Sequence, residues 1–173
     1  TDCFAVTRDH FGRGMEDTSL VIFEYPGKVL AKVESGYIQP GAWRDKVVPG
    51  AFTTKTIYVV GSRATVEVDY ETETMTMHDV HHENDGVTWV ACHGGSRILP
   101  VETCPPLSQI KAELTGFLAS VRERSTPGAN AIAAGTVLAK MIDGVYESAD
   151  QRCMVGFNWT PEEEGSLTAE RQP

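Results

Sequence analysis

Histidine side chains are concentrated in one short stretch, Met77–His93, with the sequence MHDVHHENDGVTWVACH. Four of the chain's five histidines lie there beside a cysteine, and these residues are His78, His81, His82, Cys92 and His93. Imidazole nitrogen and thiolate sulfur are common ligands of zinc, which binds three or four such atoms at about 2.0–2.3 Å. The composition of the stretch therefore raises the hypothesis of a metal-dependent enzyme that uses the residues from His78 to His93.

The spacing of these residues argues against that hypothesis. Neighbours such as His81 and His82 point to opposite faces of a strand, and His78 and His81 are too far apart along one strand to converge. Zinc ligands often come as short pairs such as Cys-x2-Cys, and no two cysteines of the sequence have that spacing. We therefore predict a histidine-rich loop, a solvated turn between two strands, with no metal ligands in the chain.

The overall composition excludes several classes of partner. The net charge is −9 and the basic residues are scattered, whereas phosphate binding requires clustered Lys and Arg, so we expect no nucleic-acid partner. No apolar run approaches the roughly 18 residues that indicate a membrane span, so we expect no membrane partner. The four cysteines are far apart, which favours reduced thiols and a cytoplasmic protein.

The first two thirds of the chain have the pattern of antiparallel strands. The segments Thr18–Tyr25 and Lys28–Tyr37 flank a Pro-Gly dipeptide, which predicts a hairpin. The segments Lys55–Gly61 and Ala64–Tyr70 predict a second pair, and in the latter apolar and acidic residues alternate. Two shorter strands are expected on either side of the polar turn in the histidine-rich stretch.

The pattern changes to helices after residue 106. Apolar residues recur at helical spacing from Leu107 to Arg124, and again from about Asn130 to Ser148. A short last strand is expected near residue 155, and residues 158–173 form a polar tail that we expect to be mobile. The order of elements predicts an α+β domain over residues 1–157, in which a large, predominantly antiparallel sheet carries two main helices on one face.

The other face of this sheet is then left open for an interface or a substrate. The aromatic and apolar residues expected near it exceed what a solvated face requires, and they are Tyr37, Ile38, Trp43, Phe52 and Tyr58. A patch of this kind usually marks an interface or a binding surface. We therefore expect the chain to associate with itself through the open face, as a homodimer or homotetramer.

Four segments between residues 16 and 155 have a recognisable order. An acidic pair, Glu16-Asp17, opens a strand, and IYVVGSRATVEVDYET forms a strand–Gly–strand pair. Two helical segments follow, PPLSQIKAELTGFLASV and AIAAGTVLAKMIDGVYESADQRCMV. Together these segments resemble the C-terminal domain of the Gfo/Idh/MocA family, which comprises glucose–fructose oxidoreductase, inositol dehydrogenase and related sugar dehydrogenases.

The resemblance implies a chain that is catalytically incomplete by itself. Family members bind NAD or NADP in an N-terminal Rossmann domain and use a catalytic lysine and histidine, and no segment here matches those elements. The segment Gly12–Asp17, GRGMED, has two glycines of a dinucleotide fingerprint but lacks the third, and it precedes a strand rather than a helix. We therefore expect no catalytic residue and no cofactor in this chain, and NAD or NADP in the full-length protein.

Substrate-binding residues are expected in the connection between residues 37 and 55. In the family, the segment that leads into the strand before the glycine, here Gly61, often contributes a side chain to the sugar. Trp43 could stack on a sugar face, and Arg44 or Lys55 could hold an anionic substituent. The alternatives are packing for the indole and solvated charges for the two cations. The predicted substrate-binding residues are Tyr37, Gln39, Trp43, Arg44, Thr53 and Lys55.

Two functions remain open besides the metal-dependent enzyme. In the first, the chain is the substrate-binding and oligomerisation domain of an NAD(P)-dependent oxidoreductase that acts on a sugar, polyol or sugar derivative. Its partners are then a small sugar-like substrate, an N-terminal Rossmann domain and further copies of itself. In the second, the chain is a free-standing ligand-binding or assembly module.

Overall fold

A computed structural model of the chain describes residues 1–36, 41, 43–45, 48–101, 105, 107–125 and 132–168. The strands are β1 (Asp2–Arg8), β2 (Thr18–Tyr25), β3 (Val29–Gly36), β4 (Trp43–Arg44), β5 (Phe52–Thr53), β6 (Thr56–Val60), β7 (Thr65–Asp69), β8 (Thr74–Asn84), β9 (Trp89–Leu99) and β10 (Val155–Gly156). The helices are α1 (Ser108–Glu123), α2 (Ile132–Gln151) and α3 (Pro161–Thr168). The predicted α+β class and the antiparallel pairing of the strands are confirmed.

The described residues divide into two compact units. The first unit comprises residues from 1–39 and 110–173 and contains a four-stranded sheet of order β10-β1-β2-β3. The second comprises residues from 40–109 and contains a four-stranded sheet of order β6-β7-β8-β9 and the two-stranded sheet β4-β5.

The core of the first unit lies between its sheet and α2. Successive side chains of a strand point to opposite faces of the sheet. Cys3 and Ala5 of β1 therefore lie on one face beside their partners on β2, Phe23 and Val21. These four residues are buried, and they pack against half-buried apolar residues of α2, namely Met141, Val145 and Ala149. Each Å² of apolar surface that is buried contributes about 25 cal/mol to stability. This contact is therefore the main stabilising feature of the unit.

A buried serine joins α2 to the sheet. The Ser148 hydroxyl is fully buried, accepts a hydrogen bond from the Ala5 N–H at 2.9 Å and donates one to the Cys153 carbonyl oxygen at 2.6 Å. The buried Ala5 N–H would otherwise be unpaired in the interior, which is costly. The hydroxyl therefore helps to fix the position of α2 relative to β1.

Within residues 158–173, which were predicted to form a polar tail, Pro161–Thr168 form helix α3. The Thr160 hydroxyl accepts a hydrogen bond from the Glu163 N–H at 3.3 Å, and the Glu163 carboxylate accepts one from the Thr160 N–H at 2.8 Å. This reciprocal pair is a capping box, and proline is favoured at the first helical position that follows the cap. The sequence TPEE contains both signals.

The prediction of a histidine-rich loop is wrong, because the histidines lie within two long paired strands. Strands β8 and β9 have 11 residues each and are joined by a short turn after Asn84, which pairs with Trp89. The Asp85 carboxylate accepts hydrogen bonds from the N–H groups of Val87 and Thr88 at 2.9 and 2.8 Å and closes that turn. The turn was predicted at the right residues, but the strands extend much further on both sides.

Helix α1 has the predicted limits within one residue at each end, and its apolar stripe is exposed. Its apolar residues are each more than half exposed, and they are Ile110, Leu114, Phe117, Leu118 and Val121. None of the helices in the described part of the chain combines the length and the hydrophobicity of a membrane-spanning helix.

Candidate functional site

The predicted substrate segment contains the small β4-β5 sheet, and the connection between its two strands is ordered by the carboxylate of Asp45. Trp43 pairs with Thr53 and Arg44 pairs with Phe52. The Asp45 N–H donates to the Ala51 carbonyl at 2.9 Å, and the Asp45 carboxylate accepts from the Val48 N–H at 2.7 Å. The Asp45 side chain is only 5% exposed, and its bonds order the connection between the two strands.

The structure brings together three of the six predicted substrate-binding residues by strand pairing. Trp43 and Arg44 form β4, and Thr53 lies opposite on β5. The Arg44 side chain is exposed. Tyr37 and Gln39 lie outside the described residues.

The other predicted cation, Lys55, is already paired with a carboxylate. Its ammonium lies 2.7 Å from the Asp45 carboxylate, and this hydrogen bond raises the pKa of Lys55 above its ordinary value. The Thr53 hydroxyl donates to the Glu71 carboxylate at 2.7 Å. Of the two cations that were predicted to hold an anionic substituent, Lys55 is therefore largely neutralised by its neighbour.

A second polar site, which the sequence did not predict, lies at an irregularity in the β8-β9 pairing. Asp79 pairs with Gly95 and the next residue, Val80, pairs with His93, so Gly94 bulges from β9. The Asp79 carboxylate occupies the space that a Cβ atom on Gly94 would need, and Gly95 has a φ of 122°. Two adjacent glycines inside a strand pattern are the signal that could have revealed this bulge.

The bulge borders a cleft of about 610 Å³. The cleft is lined by Arg63, Ala64, Met77, Asp79, Gly94, Gly95, Ser96 and Arg97. Two guanidinium groups and one carboxylate can donate and accept hydrogen bonds to a small polyhydroxylated or anionic ligand. The cleft is therefore an alternative ligand site within the same unit.

A row of polar side chains crosses all four strands of this unit's larger sheet. Tyr58 donates to the Glu67 carboxylate at 2.9 Å, and this bond raises the pKa of Tyr58. The other Glu67 oxygen lies 3.7 Å from His78 Nε2, and His78 Nδ1 lies 2.8 Å from the Ser96 hydroxyl. The row links neighbouring strands on that face, and it gives His78 two polar neighbours, Glu67 and Ser96.

The acidic residues before β2 act as anchors of a loop in the first unit. The Asp17 carboxylate accepts hydrogen bonds from the N–H groups of His10 and Phe11 at 2.9 Å each, and Tyr146 of α2 donates to Glu16. The glycine-containing segment GRGMED therefore connects two antiparallel strands. A dinucleotide fingerprint, in contrast, connects a strand to a helix.

Comparison with known proteins identifies solved oxidoreductase structures that share this fold. No protein-family profile matches the sequence, and no curated protein matches it. Levoglucosan dehydrogenase in complex with NADH and levoglucosan superimposes with a TM-score of 0.64 at 14% identity, over 92% of this chain and 45% of that one. An aldose–aldose oxidoreductase from Caulobacter crescentus, complexed with glycerol, gives a TM-score of 0.61 at 17% identity, over 90% and 41%.

A Thermotoga maritima protein classed as an oxidoreductase gives a TM-score of 0.59 at 18% identity, over 89% of this chain and 39% of that one. This chain therefore spans less than half the length of each of these three structures. At such low identity the similarity shows the fold alone. The predicted resemblance to Gfo/Idh/MocA-type oxidoreductases is confirmed at that level, and most of this chain has the fold of part of such an enzyme.

Proposed function

We propose that this chain is the substrate-binding and oligomerisation domain of an NAD(P)-dependent oxidoreductase that acts on a sugar, polyol or sugar derivative. The observation that carries the proposal is the fold match over 89–92% of this chain to part of several oxidoreductases, among them enzymes named for sugar substrates. More than half of each matched structure lies outside the match, which leaves room for a separate nucleotide-binding domain.

The wall of the sugar site is proposed to be the β4-β5 connection. Arg44 presents an exposed guanidinium whose N–H groups can donate to ring or exocyclic oxygens of a sugar. Thr53, opposite Trp43, is oriented by its bond to Glu71. Lys55 contributes by holding Asp45, which orders the connection, and Tyr37 and Gln39 complete the proposed set.

In this proposal, hydride transfer and sugar binding belong to different domains of the intact protein. A nicotinamide nucleotide bound by a Rossmann domain would accept hydride from a sugar carbon. The residues of this chain would bind and orient the sugar for that transfer, so their contribution is ground-state binding and positioning.

Phe52 and Tyr58, which were predicted to lie near the open face, belong to the second unit. Self-association is proposed instead to use the face of the first unit's sheet that lies opposite α2. Alternation along β2 and β3 places Leu20, Ile22 and Leu30 on this face, and their exposed fractions are 39%, 40% and 67%. An exposed Lys32–Glu34 pair at 3.3 Å lies beside them. An apolar patch with a polar edge is the composition that favours an isologous contact between two copies.

The kinetics of the intact oxidoreductase test where the sugar binds. Replacement of Arg44 by alanine is expected to raise the KM for the sugar about tenfold, because a hydrogen bond to a charged group contributes about 1.5–3 kcal/mol, while kcat changes little. The matched control is Arg63→Ala, which removes an exposed arginine from the bulge cleft and is expected to leave KM unchanged. A raised KM in Arg63→Ala with a normal KM in Arg44→Ala would move the sugar to the cleft and refute the proposed wall.

A further inference from the structure

Three side chains with different metal-binding atoms converge on one face of the β8-β9 hairpin. His81 and Glu83 are two residues apart on β8, so they share a face, and Cys92 lies directly opposite His81 on β9. One ligand atom from each residue, the imidazole nitrogen, the carboxylate oxygen and the thiol sulfur, lies within 4.8 Å of the other two. These are the three ligand types that zinc prefers in proteins.

The distances are close to those of a formed site. His81 Nε2 is already 3.2 Å from the Glu83 carboxylate. Ligands that each lie about 2.0–2.3 Å from a tetrahedral ion are about 4 Å or less from one another, and the three ligand atoms here, all within 4.8 Å, are near that separation. The Cys92 thiol is free and half-buried, and the His81 imidazole is 32% exposed, so an ion can reach both from solvent.

A second carboxylate lies behind the imidazole. The Asp79 carboxylate is 3.6 Å from His81 Nδ1, the ring nitrogen on the side away from Glu83. Histidines that ligate a metal usually give their other N–H to a carboxylate, which fixes the tautomer and strengthens the ligand. Asp79 is held in place because its carboxylate packs over Gly94 at the bulge. The bulge and the three ligands are thus parts of one arrangement.

We propose that His81, Glu83 and Cys92 bind one divalent transition-metal ion of the zinc class, with Asp79 as the positioning residue behind His81. Three protein ligands leave a fourth coordination position open to water or to a small ligand. Histidines at adjacent or odd spacings along a single strand point to opposite faces and cannot share an ion. In this site the third ligand, Cys92, comes from the neighbouring strand and lies on the same face as His81 and Glu83.

Cobalt(II) is the probe that tests this site, because a bound thiolate gives it a charge-transfer band in the near ultraviolet. The chain, free of tags and of metal, is expected to bind Co(II) in a 1:1 ratio with that band, and Zn(II) is expected to displace it. Cys92→Ser is expected to lose the band. Asp79→Asn is expected to weaken binding about 10–100-fold and to keep the band, and His81→Gln, which removes a ligand, is expected to weaken binding further.

Two variants serve as matched controls. His82→Gln alters the adjacent histidine, which points to the opposite face, and Cys153→Ser alters another free cysteine that lies in the first unit. Both are expected to bind Co(II) as the unaltered chain does, and circular dichroism verifies that every variant is folded. The proposal is overturned if Co(II) does not saturate at one equivalent, or if the band persists in Cys92→Ser. Since the measurement involves no sugar or nucleotide, its outcome is independent of the proposed oxidoreductase function.

Discussion

Glu163 joins the last helix to α2 through contacts that depend on its charge. The carboxylate lies 2.7 Å from the Lys140 ammonium and also accepts the Thr160 N–H. The hydrogen bond from Lys140, followed by that from Thr160, lowers the pKa of Glu163. The carboxylate form is therefore favoured in the folded chain, and this contribution to stability is complete above the pKa of the unfolded carboxyl group.

The contribution of Glu163 is expected to disappear as the pH falls through its folded-state pKa. Glu163→Gln is expected to be less stable than the unaltered chain at neutral pH, and the difference should shrink as the pH is lowered from about 5 toward 3. Urea unfolding at a series of pH values measures this. Glu162→Gln, which alters an exposed neighbour in the same turn, is the control and should show no such convergence. A constant difference between Glu163→Gln and the unaltered chain would contradict the proposed role of the charge.

Individual ion pairs and ligand clusters could not be predicted from the sequence because they depend on register. Lys55 was predicted as a residue that could hold an anionic substituent of the substrate. In the structure its ammonium lies 2.7 Å from the carboxylate of Asp45, which belongs to the connection between β4 and β5. The convergence of Cys92 with His81 depends on a bulge that shifts the β8-β9 pairing by one residue. A one-residue shift moves a side chain to the opposite face, so composition alone cannot identify such contacts.

At the scale of the element, α2 packs closely at Gly144 against the ring of Phe157, which follows the helix in the chain. A Cβ atom on Gly144 would lie 2.5 Å from Phe157 Cε1 and 2.6 Å from Cζ, whereas one on Gly135 in the same helix would meet no atom within 4 Å. The Phe157 ring is itself stacked on Trp159 at a centroid distance of 5.0 Å. The ring therefore has little freedom to retreat from an added methyl group.

Two glycine substitutions in α2 are expected to have opposite effects on stability. Gly144→Ala should lower the free energy of unfolding by about 1 kcal/mol, because an overpacking cost of about 1–3 kcal/mol exceeds the gain in helix propensity. Gly135→Ala should raise the free energy of unfolding by up to about 1 kcal/mol through propensity alone. Urea unfolding of both variants measures the contrast. Equal changes in the two would show that Phe157 does not restrict this position.

The elements with an uninterrupted apolar pattern were predicted well. Strands β2, β6 and β7 and helix α1 lie within one residue of their predicted limits at each end, because the apolar runs of β2 and β6, the alternation in β7 and the helical spacing in α1 are continuous. Strand β1 was not predicted, although Cys3 and Ala5 alternate with larger residues in its short sequence. Strands β8 and β9 were predicted too short because polar and imidazole side chains interrupt the apolar pattern, while backbone pairing continues through them.

At the scale of the whole molecule, self-association is the property that the open sheet face predicts. The chain is expected to form a dimer or tetramer in solution, and Ile22→Glu is expected to shift it toward the monomer. Folding should be retained, because Ile22 lies directly opposite Lys32, which can pair with the new carboxylate. Light scattering coupled to gel filtration measures the mass. Val87→Glu, which alters a 93% exposed valine at the tip of the β8-β9 hairpin, is the control and should leave the mass unchanged.

The assembled protein is proposed to bring a sugar, held by this chain, to a nicotinamide nucleotide held by another domain. The most direct test is the formation of reduced nicotinamide nucleotide by the intact protein with a panel of aldoses, anhydrosugars and polyols. The account predicts NADH or NADPH formation that depends on at least one of these compounds and saturates with it. If the intact protein binds a sugar and forms no reduced nucleotide with any member of the panel, the chain is a binding module and the proposed oxidoreductase function is wrong.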